Sequence, residues 1–200
     1  MTSPAMIPPT FPLQLDLDAP DKIARWRPLV HWLLIIPQLV VLYVLAIVQR
    51  VVLVISFFAI LFTGQMPEGL FAFNTMVLRY QWRVVSYALF MRESYPEFAF
   101  PAEAADPGTE PATLSAQPAP RLSRGLIFIK WLLAFPHYIV LLFLYIGVYV
   151  VAIIAFFAVL ITGAWPAGMR NYVVGVNRWA TRVSAYILLM TDQYPPFSLD

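Results

Sequence analysis

Residues 126–162 read LIFIKWLLAFPHYIVLLFLYIGVYVVAIIAFFAVLIT, and this apolar run decides the fold. Lys130 and His137 are its only conspicuous polar interruptions, and it is well beyond the roughly 20 apolar residues that a membrane-spanning helix needs. The composition agrees, since 60% of the residues are hydrophobic and 12% are charged, whereas a soluble domain carries about 25% charged residues. The sequence therefore predicts an integral membrane protein.

The composition also excludes several kinds of chemistry. Cysteine is absent, so disulfides, thiolate metal sites and thiol nucleophiles are excluded. A formal net charge of +2 is too small to indicate a nucleic-acid partner. His31 and His137 stand alone, without a second ligand at metal-binding spacing, and no acid-base or nucleophile constellation can be placed. We therefore expect no metal, no cofactor and no catalytic activity.

The long run has a second copy 99 positions earlier, and the plan of the chain repeats with it. When residue n is aligned with residue n+99 over 25–98, no gap is needed and about 30 of the 74 positions are identical. The matched features include WLL at 32–34 and 131–133, Pro37 and Pro136, Thr63-Gly64 and Thr162-Gly163, and Arg79/Arg83 with Arg178/Arg182. One unit was therefore duplicated, as is common in membrane folds.

The repeated sequence motifs resemble those of a known family. Each copy contains WLLxxP and then FFAxLxTGxxPxG, and the second copy ends in RWATRVSAY (178–186) and TDQYPPFSL (191–199). FPLQLDLD (11–18) is similar to the lead-in strand of bacterial membrane proteins described as domain of unknown function 4389. The resemblance implies a multi-helix membrane protein and carries no established activity.

The two copies depart from that family in different places. The first copy has Gln38 where a histidine such as His137 is expected, and Glu97 where a second proline is expected. The second copy shows no lead-in strand, because the segment before it is rich in Pro, Ala, Glu and Thr and has no periodicity. That composition predicts a mobile polar linker.

These observations predict an all-α integral membrane protein built as a tandem repeat of a two-helix unit, with about four transmembrane helices. The expected parts are an extended lead-in (1–24) with a short strand at 11–18, membrane repeat 1 (25–98), a linker (99–123), and membrane repeat 2 with a C-terminal tail (124–200). Within each repeat, a turn at Thr63-Gly64 or Thr162-Gly163 separates the long run from a second helix.

The long runs are too long for one straight span of a bilayer about 30 Å thick. Pro37 and Pro136 disfavour continuous helix, so we expect a short interfacial helix before each proline and a span of about 25 residues after it. An alternative folds each run into a hairpin, with its tip at Gln49-Arg50 in the first copy and at Gly147 in the second. That alternative lacks a turn signal in the second copy.

The positive charges indicate a topology. Most of them flank the repeats, whereas the Thr-Gly turns are followed only by Arg170. By the positive-inside rule, the N-terminus, the linker and the C-terminus face the cytoplasm of a bacterial inner membrane, and both copies point the same way. The helices at 70–91 and 169–190 carry two arginines each, so they either span with the arginines turned inward or lie at the surface.

Five arginines fall within predicted membrane segments, whereas every Asp and Glu lies in the termini, turns or linker. The five are Arg50, Arg79, Arg83, Arg178 and Arg182. Their partner must be an acid of the lead-in or linker, a lipid phosphate or another protein. Our hypothesis is that these arginine stripes bind anionic lipid or an acidic partner. Snorkelling that only fixes the depth of the helices is the alternative.

Three functions remain open at this point. The first is a non-catalytic scaffold or accessory subunit that holds lipid or a partner protein, either as a homo-oligomer or within a larger membrane complex. The second is an anion channel or carrier that uses the arginines. The third is a hairpin protein that shapes the membrane by expanding one leaflet.

Overall fold

The structure, a computed structural model, describes residues 11–200, so the first ten residues of the expected lead-in lie outside the described part. The prediction of a mostly helical chain with a short N-terminal strand is confirmed. The elements in chain order are β1 (Leu13–Leu17), α1 (Arg27–Leu34), α2 (Ile36–Thr63), α3 (Glu68–Ala88), β2 (Ala112–Ala116), a 3-10 turn (Leu126–Phe128), α4 (Lys130–Leu133), α5 (Phe135–Thr162) and α6 (Ala167–Ile187).

The second copy has a lead-in strand after all, which corrects the expectation of a structureless linker. Strand β2 pairs antiparallel with β1, and Leu15 lies opposite Leu114, exactly one repeat length away in sequence. The strand was missed because Ala-Thr-Leu-Ser-Ala alternates small residues, so its apolar face gives a weak signal. That face is nevertheless buried at Ala112, Leu114 and Ala116.

The strand pairing defines how the two copies are related. Leu15 and Leu114 occupy the same position in the two repeats. On either side of them, Leu13 pairs with Ala116 and Leu17 pairs with Ala112, so the repeat offset of 99 converts each of these pairs into the other. Antiparallel strands paired in this way are related by a twofold axis perpendicular to the sheet. The copies are therefore related by a local twofold axis through the Leu15–Leu114 pair, and both place their helices on the same face of the sheet.

The long runs are broken where the prolines predicted a break. Helix α1 ends at Leu34 and α2 begins at Ile36, with Pro37 in its first turn. From there α2 continues for 28 residues, about 42 Å, through Gln49 and Arg50 without interruption. The second copy is likewise continuous through Gly147. The hairpin alternative is therefore wrong.

Gly147 has a packing role instead of a turn role. A Cβ atom at this position would clash with the hydroxyl of Tyr172, which in turn donates a hydrogen bond of 2.9 Å to the Leu144 carbonyl. Only a glycine allows the Tyr172 ring to approach α5 this closely. The glycine thus allows α6 to pack closely against the middle of α5.

Two helical segments in the described part of the chain are long and apolar enough to cross a membrane, namely Ile36–Thr63 and Lys130–Thr162. Only 17% of the most apolar window of each is buried, so neither is the core helix of a globular domain. About four spans were expected, but the structure does not support that number. Helices α3 and α6 are not among the candidate spans, and Arg79 and Arg178 on their polar faces donate hydrogen bonds to the strands.

The molecule is built in three layers. The first is the polar cap, which we define as β1, β2 and the segment 93–111. Helices α3 and α6 form the second layer, and Trp82 of α3 donates a hydrogen bond of 2.9 Å from its indole nitrogen to the carbonyl of Asp16 in β1. The third layer is α2 and α5, where Ile35 packs with Val84 and Tyr87 on the side of α3 away from the sheet.

The two copies close each other's long helices. Gly64 and Gly163 end α2 and α5 in the left-handed conformation, with φ of 73° and 74°. The segments that follow the strands, 18–26 and 117–125, are called here the lead-in segments. Leu122 donates its N–H to the Gly64 carbonyl (2.9 Å), and Ile23 donates to the Gly163 carbonyl (2.7 Å). Each lead-in segment therefore binds the helix end of the other repeat.

The expected turn residues act within these helix ends. The hydroxyl of Thr63 donates to the carbonyl of Ala59 at 2.7 Å, and Thr162 does the same with Ala158 at 2.7 Å. Each hydroxyl also lies near the backbone two residues on. The Thr-Gly pairs are therefore C-terminal caps of α2 and α5, at the positions where the sequence predicted turns.

A buried polar pair joins the two helices of each repeat. In the first copy, the Tyr80 hydroxyl donates to the Gln38 side-chain oxygen, and in the second the Trp179 indole donates to His137 Nδ1 at 3.0 Å. These residues occupy equivalent positions. The first copy therefore differs from the second at both members of the pair, with Gln38 in place of the histidine and Tyr80 in place of the tryptophan. Burial raises the pKa of Tyr80 to about 12, which keeps its hydroxyl protonated as a donor.

We expect Tyr80→Phe to lower the free energy of unfolding by about 1–3 kcal/mol, because Gln38 would keep a buried oxygen without a donor. The measurement is thermal unfolding in detergent, with Tyr43→Phe as the matched control, since Tyr43 is 70% exposed on α2. Replacing both partners, with Gln38→Leu added, should recover part of the loss. Equal effects of Tyr80→Phe and Tyr43→Phe would show that the bond contributes nothing.

Candidate functional site

The arginine pair of α3 is buried under the polar cap. Arg79 is 1% exposed, and its guanidinium lies within 3.0 Å of one carboxylate and four carbonyl oxygens. The carboxylate is Asp106, at 2.9 Å from Nε, and the carbonyls belong to Pro101, Glu103, Ala105 and Leu114. Burial lowers the pKa of Arg79, and the negative charge of Asp106 opposes this.

Asp106 is the centre of this cluster. One of its oxygens lies 3.5 Å from Arg83 and accepts the N–H of Gly108 at 2.8 Å. The other pairs with Arg79 and accepts the N–H of Leu114 at 2.8 Å. The carboxylate of Asp106 therefore compensates the positive charges on α3 and also holds β2 against that helix.

The arginines of α6 meet the other strand. Arg178 donates from Nε to the Leu15 carbonyl at 3.0 Å and pairs with Asp16 at 3.1 Å. Arg182 lies over the ring of Phe11, 5.9 Å from its centroid. Since Leu15 pairs with Leu114, the equivalent arginines of the two copies hold directly opposed residues of the sheet.

Three of the four stripe arginines, Arg79, Arg83 and Arg178, thus have an acidic partner within the chain. Of the three possible sources named from sequence, the lead-in supplies Asp16 and the linker supplies Asp106. The sequence reasoning missed which linker acid would pair, because it treated the linker as a mobile connector. Adding the offset of 99 to the residues of β1 gives 112–116, so the same alignment would have placed a strand in the linker and the linker acids next to that strand.

Arg50 is in a different environment from the stripe arginines. It is exposed near the middle of α2, on the same face as the apolar residues Ile47 and Val54. It forms no hydrogen bond or ion pair with any of residues 11–200. Its counterpart in α5 is Tyr149, which is 71% exposed. The predicted intramembrane charge therefore remains at this one position.

A second group of exposed cations was not singled out as a site from sequence. It consists of the rim cations, which we define as Lys22, Arg25, Arg121 and Arg124. They are two equivalent pairs at the repeat offset, because Lys22 aligns with Arg121 and Arg25 with Arg124. Within the described chain none of them pairs with an acid, although Asp21 is a neighbour in sequence. The signal that could have found them is their repetition.

The rim cations lie at the ends of the long apolar helices. A Cβ atom on Gly64 would be 3.5 Å from Nε of Arg124, and one on Gly163 would be 3.6 Å from Cγ of Arg25. The negative end of each helix dipole therefore faces an arginine. Trp26, next to Arg25, is 54% exposed. Exposed cations beside exposed tryptophan are typical of the membrane interface.

An apolar groove of about 430 Å³ lies between α2 and the start of the second repeat. Phe57 and Trp131 line it, and Lys130 is at its base. The amine of Lys130 is already engaged, because it donates to the Thr191 carbonyl at 2.7 Å and pairs with Asp192 at 2.8 Å. The groove thus offers apolar surface but no free charge.

The two histidines pack inside the fold. His31 stacks on Tyr87 with ring centroids 3.9 Å apart, and its Nδ1 is 2.8 Å from the Tyr87 carbonyl. His137 stacks on Phe197 at 4.1 Å. Burial lowers the pKa of His31, which favours its neutral form. No group of three or more metal-ligating side chains occurs among residues 11–200.

Comparison with known proteins gives one match. The family model described as Domain of unknown function (DUF4389) matches residues 25–100 and again residues 124–198. The two matched segments correspond to the two predicted membrane repeats. No curated protein and no solved structure matches the chain.

Proposed function

We propose that this chain, which belongs to the DUF4389 family as two tandem copies, is a non-catalytic membrane scaffold that binds anionic lipid headgroups. The observation that carries the proposal is the contrast between its two surfaces. The long helices α2 and α5 expose apolar side chains such as Phe62 and Leu142, which are 73% and 63% exposed. Water does not stabilise a surface of this kind, whereas lipid does.

The charges support headgroup binding at a site other than the one inferred from sequence. The stripe arginines Arg79, Arg83 and Arg178 are engaged by the polar cap, so we assign them a structural role. The rim cations have no acidic partner in the described chain and lie at the ends of the apolar helices. A lipid phosphate would supply the missing negative charge, at about 1 kcal/mol for each cation near an anionic surface.

The finer features of the proposal follow from the same surfaces. We propose a bacterial cytoplasmic membrane as the location, with both termini on the cytoplasmic side, where anionic lipid and the positive-inside rule both favour the rim cations. Arg50 and the exposed faces of α2 and α5 also leave room for a partner protein or a second copy of the chain.

An anion carrier is less well supported by the geometry. The local twofold axis is the natural path for a pore between two copies, and a small polar cavity does lie beside it between Gln81 of α3 and Asn177 of α6. The axis then meets the Leu15–Leu114 pair, whose side chains are 1% and 0% exposed. These packed leucines block that path.

The test is a titration of the protein in neutral detergent with the soluble lipid dihexanoyl phosphatidylglycerol, followed by tryptophan fluorescence. We expect the double variant Arg25→Gln/Arg124→Gln to bind about fivefold more weakly, because each of two equivalent sites loses one cation. The charge-conserving variant Arg25→Lys/Arg124→Lys is the matched control and should bind as the native chain does. Equal binding by the glutamine variant, or equal binding of the phosphatidylcholine analogue, would contradict the proposal.

A further inference from the structure

We infer that α2 and α5 lie flat within one leaflet of the bilayer, with the polar cap in water on that same side. By length and composition either helix could cross the membrane, so the inference rests on how the helices are attached. It also rests on the membrane location in the proposed function. The occupant of the exposed helix face is then a single lipid leaflet.

The first step concerns α3 and α6, which run antiparallel beneath the sheet. Phe71, at the start of α3, shares a small apolar cavity with Ala185 and Met190 at the end of α6. At the opposite end, Trp165 before α6 donates to the Leu89 carbonyl after α3 at 3.2 Å. Two helices that are related by a twofold axis are antiparallel only when both run perpendicular to that axis. Because the axis here is perpendicular to the sheet, α3 and α6 both run parallel to the plane of the sheet.

Helix α3 contacts the sheet over much of its length. Phe71 lines a cavity with Leu13, Arg79 donates to the Leu114 carbonyl, and Trp82 donates to the Asp16 carbonyl. The outer face of the sheet carries Gln14 and Asp16, both exposed, so it belongs in water. A helix that lies along a hydrated sheet cannot also be a span.

Helix α2 follows α3 in the reverse direction and is tied to the water side at both ends. Near its start, Gln38 donates to the carbonyl of Pro96 in the polar cap at 2.8 Å. At its end, the Gly64 carbonyl accepts the N–H of Leu122 from a lead-in segment. A crossing helix would carry these two attachments to opposite sides of the bilayer. A flat helix keeps both of them on one side.

The exposed face of α2 fits a leaflet along its whole length. Residues spaced seven apart share one face, and Val40, Ile47 and Val54 are 59%, 45% and 56% exposed. The equivalent residues of α5 are similarly exposed at Ile139, Ile146 and Ile153. A layer one helix thick, about 10 Å, fits within one leaflet of about 15 Å.

The charges agree with the flat orientation. Arg50 is near the midpoint of α2, so a straight crossing would hold its guanidinium at the centre of the bilayer, facing lipid. That position is costly, and residues on a flat helix are instead all within reach of the headgroups. The rim cations at the ends of both long helices would also meet the headgroups of that leaflet.

The test uses the absence of native cysteine. Single cysteines replace Val40, Ile47 and Val54 in the full chain, a fluorescent bimane is attached, and the protein is reconstituted into phosphatidylglycerol and phosphatidylcholine vesicles that carry spin-labelled lipids at known depths. We expect the same depth at all three positions. A crossing helix would instead place Ile47 about 10 Å deeper than Val40. Gln14→Cys on the outer face of the sheet is the control and should not be quenched.

Each outcome has a distinct meaning. A depth that changes along α2 overturns the flat orientation, and the scaffold proposal survives if phosphatidylglycerol is still preferred in the titration. Equal depths without that preference overturn headgroup binding and leave the orientation intact. Quenching that is absent from all three helix positions overturns both. The set Ile139→Cys, Ile146→Cys and Ile153→Cys repeats the measurement on α5 and must give the same answer.

Discussion

Asp106→Asn is expected to lower the free energy of unfolding by about 3–5 kcal/mol, the range found when one partner of a buried ion pair is removed. The substitution keeps the size of the side chain but removes the charge that faces Arg79 and Arg83, each of which is 1% exposed. The two guanidinium groups would then be buried without an acid within reach. The measurement is unfolding in mixed detergent micelles, followed by tryptophan fluorescence.

The other copy provides the matched control. Asp16 pairs with Arg178 at the equivalent place on the sheet, but its side chain is 71% exposed and that of Arg178 is 22% exposed. Water screens such a pair, so Asp16→Asn should change the free energy of unfolding by at most about 1 kcal/mol. The two substitutions are chemically identical, whereas the two carboxylates differ in burial and in the number of groups that they bind. Equal effects would contradict the assignment of Asp106 as the centre of the cap.

The difference between the two acids explains why the fold could be predicted only in part. The repeat offset and the apolar runs were enough to predict the long helices, the break before Pro37 and the Thr-Gly turns, because these depend on strong local preferences. The pairing of Asp106 with Arg79 depends on a contact between distant segments. Composition carries no information about such contacts, and a Pro- and Ala-rich segment has a weak local signal.

The candidate site, like the fold, could be predicted from sequence only in part. A surplus of positive charge within apolar segments was a sound reason to look for anionic partners. The linker acids were named as one possible source, but the linker was expected to be mobile, so no particular acid in it could be assigned to an arginine. Once the cap engages Arg79, Arg83 and Arg178, the exposed cations without a hydrogen bond or ion pair in the described chain include Arg50 and the rim cations. The rim cations could have been found from sequence, because Arg25 and Arg124 repeat at the same offset as the helices.

The number of spans was overestimated for a physical reason. Hydropathy reports how apolar a segment is but not which way its polar face points. For α3 and α6 the sequence left both a spanning and a surface orientation open, so the decision depended on what covers the arginines. In the structure the strands lie against Arg79 and Arg178, and the candidate spans among residues 11–200 are Ile36–Thr63 and Lys130–Thr162.

A second large effect is expected at the pair formed by Arg92 and Glu110, where Glu110→Gln should lower the free energy of unfolding by about 3–5 kcal/mol. The side chains are 1% and 3% exposed and in direct contact. Glu110 also accepts the N–H of Glu97 at 2.9 Å, and Arg92 donates to the Ser94 carbonyl at 3.0 Å. The pair therefore joins the segment after α3 to the segment that leads into β2, and its loss should loosen both.

At the positions that are equivalent by the repeat offset of 99, the chain has the uncharged residues Thr191 and Phe11. A buried ion pair can often be exchanged for uncharged residues at little loss, whereas a buried charge that has lost its partner is strongly destabilising. We therefore expect the double variant Arg92→Thr/Glu110→Phe to be more stable than Glu110→Gln, despite changing two residues. Unfolding in the same mixed micelles measures both variants. A double variant less stable than the single one would show that the cap needs the charges themselves and not only a neutral, filled contact.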